Sequence, residues 1–173
     1  MKVYDYDLQS GIACPENVIT AGNVRLTLLS ERLMRYEKSP SGKFTDQTTQ
    51  GIFKRNFPPV KKTVKQRGNT ITVKTDCVTF VINLENFEKG YVKFANGKTA
   101  KLDGNGNLGG TVRTLDTNDR HLIVDEKVSI ENADRKHIKL CDGVISQTGV
   151  ALWNDGASLI LENDEVKPSE PET

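Results

Sequence analysis

Apolar and polar residues alternate with period two along most of this chain, the signature of strands with one buried face. In "NVRLTLLS", Val24, Leu26 and Leu28 share a face. In "NTITVKT", Ile71 and Val73 point one way, and Thr72 and Lys74 the other. Val78, Phe80, Ile82 and Leu84 form an inward row in "CVTFVINL". "GYVKFANGK" reads as a strand entering an Asn-Gly turn, with "KTAKL" as its hairpin partner. "GVALWND" and "ASLILEN" read as a further hairpin about Asp155-Gly156. Turn signals recur at Ser39-Pro40-Ser41-Gly42, Gly68-Asn69 and Asn96-Gly97. Helical period is scarce: "SERLMRY" fits either a single helical turn or a strand after a Ser-Glu turn. Residues 40–60 are expected to form a long loop with one extended piece, and residues 116–143 a polar excursion between strands. Many short strands with regular turns predict an all-β, antiparallel β-sandwich.

Composition narrows the function classes. A chain of 173 residues is one domain or a domain with an appendage, large enough for a core without staples. A net charge of +1 predicts no broad basic field, which argues against a nucleic-acid partner. Cys14, Cys77 and Cys141 are far apart and in no C-x-x-C pair, so they read as buried thiols in a reducing compartment. The N-terminal "MKVYDYDLQSG" has no apolar core of a signal peptide, and no run reaches the length of a membrane span. There is no N-x-S/T sequon. Together these features suggest a bacterial-type cytoplasmic protein with no membrane partner.

The motif that most needs testing is "DGNGNLGG", residues 103–110, where Gly104, Gly106 and Gly109 spell G-x-G-x-x-G. A dinucleotide loop requires a buried apolar strand before it and a helix after it. Here "GKTAKLD" precedes and the β-branched "GTVRTLDTND" follows, so the glycines are assigned to a turn. An EF-hand fails as well, since Leu108 stands where the loop needs Gly and Thr114 where it needs Glu. His121 and His137 have no metal-ligand spacing. No nucleophile elbow or P-loop is present. Asp116, Asp119, Asp125, Asp142 and Asp155 read as turn or surface residues, and no cofactor or metal is expected.

Three segments in series carry a family resemblance. "NVRLTLLSERLMRYEKSPSGKFTDQTTQGIFKRNFP", residues 23–58, resembles the opening strand pair of glycoside hydrolase family 31, the α-glucosidase and α-xylosidase family. The shared positions include Val24, Arg25, Leu26, Thr27, Arg35, Tyr36, Phe44, Asp46, Asn56, Phe57 and Pro58. "NLGGTVRTLD", residues 107–116, is similar to the family's "NLGGTxRTLD". "DGVISQTGVALWNDGASLILEND", residues 142–164, is similar to its "DGLLSRDGWALIDDS" and the strand that follows. The chain departs from that last pattern at Gln147, Thr148 and Val150, and again at Trp153, Asn154, Asp155 and Gly156.

The resemblance implies a galactose mutarotase-like β-sandwich over residues 1–163, with residues 164–173 as a linker toward a catalytic (β/α)₈ barrel. It implies a non-catalytic N-terminal domain of a retaining α-glycosidase, since the family's two catalytic aspartates belong to the barrel. The partners it implies are that barrel and, in the whole enzyme, an α-linked oligosaccharide; an isolated domain would be prone to self-association. By position, Arg113 and Asp116, as a charge-assisted pair, and Trp153 and Asp155 are the residues expected nearest the substrate entrance. The competing readings are a free-standing carbohydrate-binding module and a protein-interaction sandwich.

Overall fold

The computed structural model describes residues 11–109, 123–124, 129–131, 137–139, 142–156, 158–162 and 165–167. Every strand pairing among them is antiparallel and none of them is α-helical, so the chain is all-β, as the alternation predicts. Two compact units divide the chain: Met1–Thr99 with Asn154–Thr173, and Ala100–Trp153.

The first unit opens with a 3-10 turn, Pro15–Asn17, and a three-stranded sheet of β1 (Val18–Ala21), β2 (Val24–Leu28) and β3 (Met34–Lys38), in that order. "SERLMRY" resolves as the strand alternative: a tight turn, closed by Leu29 N–H donating to Leu33 C=O at 2.9 Å, leads into β3. Val24, Leu26 and Leu28 are buried as expected, but Arg25 and Thr27 on the opposite face are buried too. A short β4 (Thr48–Thr49) is the one extended piece in the 40–60 stretch.

The largest sheet follows the sequence pattern closely. Its order is β5 (Thr63–Arg67), β6 (Thr70–Lys74), β7 (Val78–Asn83), β8 (Tyr91–Phe94), β9 (Thr99–Lys101). Ile71, Val73, Phe80, Ile82 and Val92 are its buried row. Gly68 and Gly97 sit in the left-handed region at φ 54° and 83°, which allows the tight turns that fix the hairpin registers.

The second unit holds a ribbon of β10 (Asn107–Gly109) with β14 (Asp142–Ser146) and a three-stranded sheet of β11 (Ile123–Val124), β12 (Ser129–Glu131) and β13 (His137–Lys139). The supposed polar excursion thus contains paired strands.

Two expectations need correction. The hairpin about Asp155-Gly156 does not form: residues 150–154 are in no strand, and β15 (Ile160–Glu162) pairs instead with β4 and β16. The backbone of Leu152 is held by an asparagine side chain rather than by a partner strand. Nor is 164–173 all linker, because Glu165–Lys167 forms β16, registered from Ile160↔Lys167 to Glu162↔Glu165. The cysteines differ as well. Cys14 and Cys77 are free but only half-buried, donating to Glu16 and Glu31 carboxylates at 2.8 Å. The bond to Glu16 holds the Cys14 thiol above its ordinary pKa. Cys141 lies outside the described residues.

Candidate functional site

In the second unit, the two segments that resemble family motifs form one structure. β10 comes from "NLGGTVRTLD" and β14 from "DGVISQTGVALWND", and they pair from Asn107↔Ser146 to Gly109↔Asp142 across an irregular register. Asn107 locks this ribbon. Its Nδ2 donates to Leu152 C=O at 2.8 Å and Gly143 C=O at 3.3 Å, while its Oδ1 accepts from Leu152 N–H at 3.2 Å. One amide thereby replaces a strand partner for Leu152 and ties three pieces of backbone together.

The glycines of "DGNGNLGG" acquire distinct roles. Gly104 (φ 71°) makes the turn, closed by Asn107 N–H donating to Gly104 C=O at 3.0 Å, with Asp103 Oδ1 accepting from Asn105 N–H at 3.1 Å. Gly106 is a close approach: a Cβ there would stand 2.6 Å from Thr148 Cγ2 and 2.7 Å from its Oγ1. Its C=O accepts from Gln147 N–H at 3.0 Å. The turn reading of this stretch therefore holds at Gly104.

The ribbon and the segment that Asn107 ties to it present apolar side chains to solvent. Val144 is 56% exposed, Ile145 67% and Trp153 60%; Leu108 is exposed as well. Val144 and Ile145 are consecutive on a strand, so the ribbon is apolar on both faces.

The first unit contains a largely buried charge cluster, open to solvent at Asp46, built on the face of β2 and β3 opposite the apolar row. The register sets Arg25 across from Glu37 and Thr27 across from Arg35. Arg25 Nε and Nη2 donate to both Glu37 oxygens at 2.7 and 2.8 Å, and Nη1 to Asp46 at 2.8 Å. Nη2 also reaches Thr45 C=O at 2.9 Å, and Phe44 lies 4.9 Å from the guanidinium carbon. Arg35 forms an ion pair with Glu37. Burial pulls the Arg25 pKa down, but its bonds and charge pairing with Glu37 and Asp46 outweigh that, leaving it above its ordinary value.

Arg55 is the weak point of the cluster. Its side chain is only 3% exposed, yet among the described residues Nε and Nη2 have no hydrogen-bond partner. Nη1 donates to Thr45 C=O at a long 3.4 Å, and Nη2 stands 3.9 Å from Asp155 Oδ2. Burial, with Arg35 adding repulsion, lowers its pKa to about 10 against the opposing pull of Glu37 and Asp155. Asp155 accepts from Thr49 Oγ1 at 2.9 Å. With Arg25, Arg35 and Arg55 against Glu37, Asp46 and Asp155, the cluster is balanced in charge and its chemistry is bracing.

The expected site residues separate accordingly. Trp153 lies exposed in the second unit, and Asp155 lies in the first, mostly buried within the cluster rather than on the surface. Arg113 and Asp116, like His121, lie outside the described residues. Arg55 was not singled out from sequence, and Asn107 entered only as a position of the rejected calcium loop and as the first residue of "NLGGTVRTLD", with no bracing role. Opposite charges at Arg25 and Glu37 could have been seen by writing out the β2–β3 register. No local signal marks Asn107, whose partner Leu152 is far along the chain. Among the described residues, no cluster of three or more His, Cys, Asp or Glu side chains could hold a metal, and no helix is long and apolar enough to cross a membrane.

No protein-family model matches the chain, and no curated protein matches it. Among solved structures it is similar to part of the crystal structure of a glycoside hydrolase family 31 α-xylosidase from Xanthomonas citri, with a TM-score of 0.38 and 18% identity. The similarity covers 70% of this chain and 13% of that enzyme. A match this distant and partial bears on neither activity nor substrate.

Proposed function

We propose that this chain is a non-catalytic β-sandwich domain of a retaining α-glycosidase, docking on the enzyme's catalytic barrel and shaping its substrate entrance. The observation that carries the reading is the β10–β14 ribbon. It is built from the two motif segments, braced by Asn107, and apolar on both faces. A two-stranded ribbon is marginal alone, and exposed apolar surface of this kind marks a partner. Retaining hydrolysis needs two carboxylates about 5 Å apart on either side of the scissile bond. In the first unit Glu37 and Asp46 are committed to Arg25, and Asp155 to Thr49 and Arg55, which suits a brace rather than that chemistry. Oligosaccharide specificity would then reside largely in the barrel, with Arg113, Asp116 and Trp153 as the positions nearest it.

The test is an assay of the purified chain on an aryl α-glucoside, alone and mixed with a separately expressed family 31 barrel lacking its own N-terminal domain. Turnover is expected only with the barrel. Turnover by the chain alone, abolished by substituting one of its carboxylates, refutes the reading. The exposure of Trp153 favours a second reading, a carbohydrate-binding module with Trp153 as its stacking platform. Saturable micromolar binding of maltose would support that module and not the docking domain.

A further inference from the structure

The five-stranded sheet ends in an open strand. β5 is the edge of the sheet, and all five of its residues are exposed. The β5–β6 hairpin closes on Arg67↔Thr70 around Gly68-Asn69, and such a closing pair exchanges both of its backbone bonds. Alternation then turns the N–H and C=O of Val64 and Gln66 toward the open edge. Among the described residues nothing else takes these backbone groups.

The side chains along this edge have a definite pattern. The registers place Lys65, Arg67, Lys74 and Lys93 on the outer face of the sheet, among Thr63, Thr70, Thr72, Thr79, Val81, Asn83 and Tyr91, with no carboxylate on that face of β5–β8. Lys65 and Arg67, with Thr70 and Thr72, line an open groove over the hairpin. None of the four cations has an ion-pair partner among the described residues. In the flanking turns, Asp76 pairs with Lys61 and Glu85 accepts from Asn69. On the other face of the same strand Val64 is 42% exposed, registered opposite the buried Val73. The edge thus offers backbone donors and acceptors, positive charge on one face and an apolar contact on the other.

We propose that β5 is a docking strand for an extended acidic peptide segment of a partner protein, which adds to the sheet edge with alternate carboxylates over Lys65 and Arg67 and the intervening apolar residues beside Val64. The pattern selects against a second copy of this chain. Antiparallel pairing of β5 with itself would gather Lys65 and Arg67 of both copies on one face, where like charges repel. It also asks for more than a polyanion, because the open backbone groups of Val64 and Gln66 fit a strand and not a phosphate chain. The proposal stands apart from any docking on a glycosidase barrel, which involves the other unit.

The test uses the full chain and a capped synthetic peptide alternating Glu with Val and Thr, followed by amide NMR titration. Saturable binding is expected, with the Val64 and Gln66 amides among the most shifted. Methylating the peptide's alternate backbone nitrogens keeps its charge but removes edge hydrogen bonds, and should weaken binding about tenfold or more. Val64→Pro, tolerated at an edge position, should do the same with the rest of the spectrum unchanged. Lys65→Glu with Arg67→Glu should weaken binding by about tenfold at low salt, with less effect at high salt. Equal binding of the methylated peptide, equal binding of oligodeoxythymidine of matched charge, or absence of saturable binding would each overturn the proposal.

Discussion

Replacing Arg55 with methionine should stabilise this protein, although it removes a charge from an ion cluster. The guanidinium is 3% exposed, and among the described residues two of its nitrogens have no hydrogen-bond partner and its nearest carboxylate is 3.9 Å away. Its pKa of about 10 lies some two to three pH units below an ordinary arginine, so holding it charged costs on the order of 3 kcal/mol at neutral pH. Arg55→Met keeps an unbranched apolar stem; Thr45 C=O still accepts from Arg25, and Asp155 keeps its Thr49 bond but loses a countercharge 3.9 Å away, which offsets part of the gain. The expected gain is about 1–3 kcal/mol by urea denaturation at pH 7. Asp155→Asn should act oppositely, costing roughly 1–2 kcal/mol by removing a countercharge from a buried cation. The pH dependence has a definite sign. The folded chain holds the Arg55 proton less tightly than the unfolded chain, so above about pH 10 the unfolded state binds more protons and wild-type stability rises relative to Arg55→Met. The gap should be flat at neutral pH and narrow by roughly 1 kcal/mol by about pH 10.5. A loss of more than about 1 kcal/mol in Arg55→Met, or a gap unchanged at high pH, would refute the reasoning.

Three further substitutions test other joints of the fold. Asn17 is fully buried and bridges Phe57 C=O, Pro58 C=O and Val60 N–H at 3.3, 3.0 and 2.7 Å; Asn17→Ala should cost about 2–4 kcal/mol in chemical denaturation, and a change under about 1 kcal/mol would contradict that role. Gly106→Ala should destabilise through its clash with Thr148 and be largely rescued by adding Thr148→Ala, whereas strict additivity in the double mutant would show that no contact is shared. Asn107→Ala should raise hydrogen exchange at the Leu152 amide by at least about tenfold, while amides of the five-stranded sheet stay protected.

The parts of the structure legible from sequence were those decided locally. Period-two burial named Ile71, Val73, Phe80 and Ile82, and the Gly68-Asn69 and Asn96-Gly97 turns set two hairpins, because each signal lies within a few residues of its consequence. The failures came from side chains acting at long range. Residues 150–162 have the alternation of a hairpin, but Asn107 takes the Leu152 backbone and Thr48–Thr49 takes β15. Arg25 looks solvent-facing until Phe44, Thr45 and Asp46 fold over it. Of the expected site residues, Trp153 and Asp155 can be placed, and Asp155 proved to be an internal brace through Thr49 and Arg55, neither of which is near it in sequence.

Trp153 is the sole tryptophan in the chain and 60% exposed, which makes its fluorescence a direct reporter of what covers the ribbon. Titrating the chain with a family 31 catalytic barrel should shift Trp153 emission to the blue in a saturable manner, and Ile145→Asp should abolish the shift, while maltose leaves the emission unchanged. A shift driven by maltose, with none from the barrel, would contradict the account.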